Sequence, residues 1–95
     1  MTGYAANKEA LTKRLHRIEG QVRGIEKMVI EDRYCIDVLT QISAVTTALE
    51  QVGVKLLEAH VTHCVADAIS TGDKTVAEEK TTELLEAVQR FVRAR

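Results

Sequence analysis

The sequence predicts an all-α protomer of three helices, the central one long, paired antiparallel with a second copy into a four-helix-bundle homodimer. Three observations lead there. No proline and only three aromatic residues occur in 95 positions, so helices packed through aliphatic side chains are expected. Apolar residues recur at three- and four-residue spacing over two long stretches, the signature of amphipathic helices. The second stretch runs for ~35 residues, far beyond an ordinary globular helix, and a chain this small has little else with which to cover it.

The first helix is expected from Asn7, as its cap, to Ile30, with Leu11, Leu15, Ile18, Val22, Ile25 and Met28 on its apolar side. On a wheel of ~100° per residue the opposite arc gathers Lys13, Arg14, Arg17, Arg23 and Lys27, with Gly20 and Gly24 between them. A glycine inside a helix costs roughly 1 kcal/mol relative to alanine, so close approach of another backbone or of a phosphate is one reason for the pair. Taken alone, such an arc is also what a solvated face looks like.

Glu31-Asp32-Arg33 interrupts the pattern. From Tyr34 to Ser70 the chain reads as one helix whose seam is Cys35, Val38, Ile42, Val45, Leu49, Val52, Leu56 and Ala59, in alternating steps of three and four. Leu39, Leu57, Val61, Val65 and Ile69 widen this seam to the breadth of a bundle face, and Gly53 is a weak point within it. Ser70-Thr71-Gly72-Asp73 ends the helix. Thr75-Val76-Ala77-Glu78 then offers a capping box for a third helix, with Leu84, Leu85, Val88, Phe91 and Val92 as its apolar side. Residues 1–95 are expected to form a single domain.

Composition narrows the function classes. The formal charge is −1, which by itself does not advertise nucleic acid, but the first 33 residues hold seven Lys/Arg against five Asp/Glu and the rest six against nine, net +2 and −3. No signal peptide or membrane-spanning run is recognisable, so the cytoplasm is the expected location, with no membrane partner. There, two cysteines are better suited to metal or redox chemistry than to a structural disulfide.

Those cysteines carry the sharpest signal. Cys35 and His60 lie 25 residues apart, about 37 Å along a straight helix at ~1.5 Å per residue, and cannot meet within it. His60 and Cys64 are an i,i+4 pair on one face. Antiparallel pairing of two such helices about Ala48 and Leu49 brings Cys35 of one protomer beside His60 and Cys64 of the other, giving two equivalent sites per dimer. Two thiolates and an imidazole select soft or borderline metals, and three ligands suit trigonal Cu(I) better than four-coordinate structural zinc. His63, ~100° round from Cys64, is a poor fourth ligand. Glu83 is the candidate acceptor for the imidazole's other nitrogen, and Tyr34 a candidate for a further hydrogen bond beside the site. Singly, each cysteine is more commonly a small buried hydrophobe, and the joint arrangement is what favours a site. A Cys-His nucleophile lacks any recognisable pocket or orienting motif.

Residues 13–25 (KRLHRIEGQVRGI), 32–42 (DRYCIDVLTQI) and 60–64 (HVTHC) together resemble the copper-sensitive operon repressors, a group that also includes nickel/cobalt, formaldehyde and persulfide sensors. The resemblance covers nearly the whole chain. It implies a dimer of dimers that represses by binding operator DNA when metal-free and lets go when one Cu(I) binds each inter-subunit site, derepressing copper-resistance genes. Carried over by position, the metal ligands are Cys35, His60 and Cys64, with Tyr34 and Glu83 behind them. For DNA the resemblance implies Arg14 first, with Lys13, Arg17, Gln21 and Lys55 as companions and Gln51 where relatives can have a basic residue. The chain lacks the histidine at position 64 of nickel and cobalt sensors and the proline of formaldehyde sensors. It also has the His60 that persulfide sensors lack. A thiol or persulfide switch on Cys35 and Cys64 is the alternative within this fold, and a metal-stapled helical interaction protein the alternative outside it.

Overall fold

The computed structural model describes residues 4–93, apart from the side chain of Val65. Among the described residues there are helices and turns and no strand. A short 3-10 turn, Ala5–Asn7, leads into α1 (Lys8–Ile30); α2 (Cys35–Ala59) passes through a π-helical segment, His60–Val65, into α3 (Ala66–Ser70); α4 (Lys74–Arg93) follows. The expected all-α fold of three helical rods is present, since Cys35 to Ser70 stays helical without interruption. By its contacts the chain divides into two compact units, one spanning Asn7–Val52 and the other built on the helices from Gly53 onward.

In the first unit, Leu11 and Ile18 of α1 and Val45 and Val52 of α2 are buried in one cluster, with Ile25 and Ala48 packed against it. The spacing explains the choice. Leu11, Ile18 and Ile25 recur every seven residues, and so do Val45 and Val52, so a single stripe of each helix is covered. The intervening stripe of α1, Leu15, Val22 and Val29, remains exposed, as does the α2 stripe Cys35, Ile42, Leu49 and Leu56. The seam read from the sequence is therefore two parallel stripes. One is consumed inside the protomer. The other leaves apolar side chains in water, each worth roughly 1.5–3 kcal/mol if fully buried.

The helix ends refine the sequence expectations. Asn7 does occupy the N-cap position of α1, but its side chain caps nothing. With φ −107° and ψ 7° it continues the 3-10 turn instead of adopting the extended cap geometry that aims the side-chain oxygen at the N2 or N3 amide. At the other end Asp32 takes φ +56°, the Asp32 N–H donates to the Val29 carbonyl (3.1 Å), and the Arg33 N–H reaches the Met28 carbonyl (2.9 Å). This is a Schellman ending with aspartate where glycine is usual.

In the second unit α4 packs against the π segment and α3. Ala59 and Ala68 are its buried apolar residues among those described, and α4 itself buries none fully. Gly72, at φ +76°, closes α3, its N–H donating to the Ile69 carbonyl (3.2 Å). The cap of α4 is Asp73, not Thr75: Asp73 Oδ1 accepts from the amides of Thr75 (3.0 Å) and Val76 (3.2 Å). The two start signals sit two residues apart, and aspartate outranks threonine as a cap. Gly53 also gains a reason. A Cβ built there would lie 2.5 Å from Phe91 Cε1, so the ring of α4 occupies the space a side chain would need.

Candidate metal centre and nucleic-acid interface

Cys35 is the first residue of α2 and is exposed; Cys64 is partly buried; both are free thiols. Tyr34, just before the helix, is exposed, and its carbonyl accepts the Val38 N–H (3.2 Å) that opens the helical ladder. His60 and Cys64 are the first and fifth residues of the π segment, in which the Ala66 N–H reaches back five residues to the Val61 carbonyl. The expectation of unbroken α-helix from Tyr34 to Ser70 is corrected here. Nothing in residues 60–65 breaks a helix, so the wider turn leaves no mark in composition. Such π turns are rare and recur at functional sites.

The His60 ring faces α4. Its Nε2 stands 3.7 Å from Glu83 Oε1, with His60 about 29% exposed and Glu83 about 55%. The opposite ring nitrogen, Nδ1, is then the one left for a ligand. Among the described residues no three His, Cys, Asp or Glu side chains converge into a metal-holding group. The structure thus joins His60 to Glu83 and sets Cys64 in the same turn, while no third donor of the chain completes the set.

Four of the six residues named for DNA contact share one cleft. Arg14, Arg17, Ile18 and Gln21 of α1, with Ala48 and Gln51 of α2, line an open pocket of about 140 Å³ within the first unit. The cations of α1 divide sharply. Lys13 pairs with Glu9 (3.5 Å) and Arg23 with Glu19 (3.3 Å), each one helical turn away. Arg14 and Arg17 make no ion pair among the described residues, so two guanidinium groups face the cleft without a counter-charge. Lys55 pairs with Glu58 (3.7 Å) and does not line this pocket. Gly20 and Gly24 have nothing within 4 Å of a Cβ built on them, so packing inside the chain does not account for them.

One residue beside the site escaped the sequence reading. Lys80 Nζ lies 3.6 Å from Glu83 Oε2, so the carboxylate that faces His60 is gripped from its other side. The i,i+3 spacing of Lys80 and Glu83 was the available signal.

An all-helical protomer with a soft-ligand turn at one place and an uncompensated basic cleft at another is the outline of a metal-responsive DNA-binding protein. The profile of the metal-sensitive transcriptional repressors matches residues 7–90, and the chain belongs to that family. It is 52% identical over 92 residues to the copper-sensing transcriptional repressor RicR of Mycobacterium tuberculosis, covering 97% of this chain and 95% of that one. To the copper-sensing repressor CsoR of Bacillus subtilis it is 53% identical over 87 residues, 92% and 83% of the two chains. Among solved structures it is similar to CsoR with Cu(I) from Geobacillus thermodenitrificans, with a TM-score of 0.85, 51% identity and coverage of 93% and 88%. The nickel-responsive regulator InrS also matches, with a TM-score of 0.76, 41% identity and coverage of 87% and 90%.

Proposed function

We propose that this chain is a Cu(I)-responsive repressor that holds operator DNA when metal-free and releases it when Cu(I) is bound between two antiparallel protomers. Cys35 of one protomer and His60 and Cys64 of its partner are the ligands. The observation that carries this reading is the His60–Glu83 contact, 3.7 Å long, with Cys64 on the same turn and no third donor converging on them among the described residues. The exposed α2 stripe supports the pairing, because Cys35 lies on it in step with Ile42, Leu49 and Leu56. An antiparallel partner presenting the same stripe covers those side chains and supplies the missing sulfur. The four-helix-bundle dimer, and its doubling to a tetramer, are parts of this proposal.

The donor chemistry fits the ion. Two thiolates and one imidazole are soft enough for Cu(I) and too few for closed structural zinc. When bound, Cu(I) supplies a strong three-coordinate link between the protomers. Cys35 and Cys64 ligate as thiolates, so they give up protons on loading. His60 ligates through Nδ1 with its Nε2 turned to Glu83, a contact of 3.7 Å that closes to a hydrogen bond on loading and orients the ring. Tyr34, adjacent to Cys35, provides a hydroxyl at the edge of the site. Because Glu83 sits on α4, ordering His60 also orders α4 against the π segment.

DNA is held through Arg14 and Arg17, with Gln21 and Gln51 as polar companions in the same cleft and Lys13 and Lys55 as further companions. One protomer offers few charges. Several copies in an assembly contact many phosphates, and binding then weakens steeply with salt. The role places the protein in the cytoplasm, with operator DNA and its own copies as partners and no catalytic chemistry. For Cu(I) to drive release, it must bind the DNA-free conformation more tightly, by a typical coupling of ~1–3 kcal/mol, and DNA must weaken Cu(I) binding by the same factor.

Anaerobic titration of Cu(I) into a complex with the DNA upstream of the protein's own gene tests the reading. Release at one Cu(I) per protomer is expected; undiminished DNA affinity at that ratio rejects it. His60→Ala should keep thiolate-based Cu(I) binding and lose most of the release. Equal release by oxidant or persulfide in copper-free protein favours the thiol switch, release by Ni(II) instead favours a nickel sensor, and no salt-sensitive DNA binding at all favours an interaction protein.

A further inference from the structure

The Glu83 carboxylate is shared, and its second partner has no role in the mechanism so far. Oε1 faces His60 Nε2 at 3.7 Å, and Oε2 faces Lys80 Nζ at 3.6 Å from one turn earlier on α4. We propose that Lys80 is a positioning residue for copper sensing: by holding Oε2 it keeps Oε1 turned to His60, so that loading of His60 is transmitted to α4. This rests on the copper-sensing reading above.

The surroundings make that grip matter. Glu79 and Glu86 lie four residues before and three after Glu83, on the same face of α4. Like charges at these spacings repel the Glu83 carboxylate, which is about half exposed and has His60 and Lys80 as its ion-pair contacts among the described residues. Holding a glutamate in one rotamer costs side-chain entropy, and a single contact of 3.7 Å to a partly exposed imidazole is a weak tether. Lys80 opposes both effects, because its i,i+3 position fixes where the cation stands whether or not His60 is loaded. A carboxylate already aimed at His60 transmits metal binding to α4. A freely rotating one absorbs it.

Lys80 is neither one of the proposed metal ligands nor a lining residue of the basic cleft, so its substitution separates transmission from binding. The experiment compares the full-length protein with Lys80→Met and Lys80→Arg, measuring DNA affinity with and without one equivalent of Cu(I), and Cu(I) affinity by competition with a chromophoric Cu(I) chelator. The ratio of DNA affinities without and with Cu(I) reads the coupling. Lys80→Met should lower that ratio about two- to fivefold, the range of an exposed ion pair, with metal-free DNA affinity unchanged and helical content retained. Lys80→Arg should restore it. In a Glu83→Gln background the Lys80→Met change should have no further effect. A wild-type ratio in Lys80→Met, no rescue by arginine, or an equal loss without Glu83 each overturns the proposal. Failure of wild-type protein to release DNA with Cu(I) is a different result, which removes the copper-sensing reading and this inference with it.

Discussion

The unit spanning Asn7–Val52 closes an apolar core of its own, whereas the unit from Gly53 onward does not. Leu11, Ile18, Val45 and Val52 meet in the first, each less than a tenth exposed. Among the described residues of the second, the buried apolar ones are Ala59 and Ala68, two side chains of a single methyl each. The cleft residues Arg14, Arg17, Gln21 and Gln51 thus sit on the better-packed part, and the His60–Glu83 pair on the part with fewer internal restraints. Regions of low internal stability are those that move when a ligand arrives. A rigid reader of phosphates and a soft receiver of metal make physical sense in one small chain.

The largest test of this division exchanges one residue in each region. Cys64→Ala should weaken Cu(I) binding by more than about a hundredfold, above the 10–100-fold typical of losing a group behind a ligand, while leaving metal-free DNA affinity intact. Arg14→Ala should do the reverse, cutting DNA affinity by about tenfold or more and flattening its salt dependence, with Cu(I) binding unchanged. Paired DNA-affinity and chelator-competition titrations read both. Cross-talk in the metal-free protein, with Cys64→Ala weakening DNA binding, would break the division.

Glycine substitutions probe the same contrast at smaller amplitude. Gly53→Ala should destabilise by about 1–3 kcal/mol, because its Cβ meets the Phe91 ring at 2.5 Å. Gly20→Ala has open space and should stabilise by up to about 1 kcal/mol. Thermal melting distinguishes them. If Gly20→Ala stabilises the fold yet lowers DNA affinity, the glycine is kept for close approach of a phosphate.

The smallest effect concerns the start of α4. Asp73→Ala should cost ~1 kcal/mol and Thr75→Ala close to nothing, because the cap bonds run to the aspartate. Equal losses in the two melting curves would return the cap to Thr75.

Much of this was legible from spacing alone. The apolar periods of α1 and α2 and the i,i+4 relation of His60 and Cys64 were readable, because helical geometry converts sequence separation into direction, whereas Glu83 was singled out among the glutamates of α4 only through the family resemblance. Residues whose roles depend on competition were harder to read. Asp73 and Thr75 both signal a helix start, and only the fold selects between them. Lys13 and Lys55 look like Arg14 in a list of cations, yet each has a glutamate within one turn and Arg14 does not. The division of the α2 seam into a covered and an uncovered stripe depends on where α1 lies, which no local pattern specifies.

The π segment at His60–Val65 has a mechanical corollary. A turn holding one residue more than its neighbours is a counting error that the helix tolerates, so the rungs above and below it need not stay in step. Were that surplus residue expelled or shifted along the rod, everything beyond it would swivel by ~100° for an advance of only ~1.5 Å. A screw thread with a single loose pitch turns easily there and nowhere else.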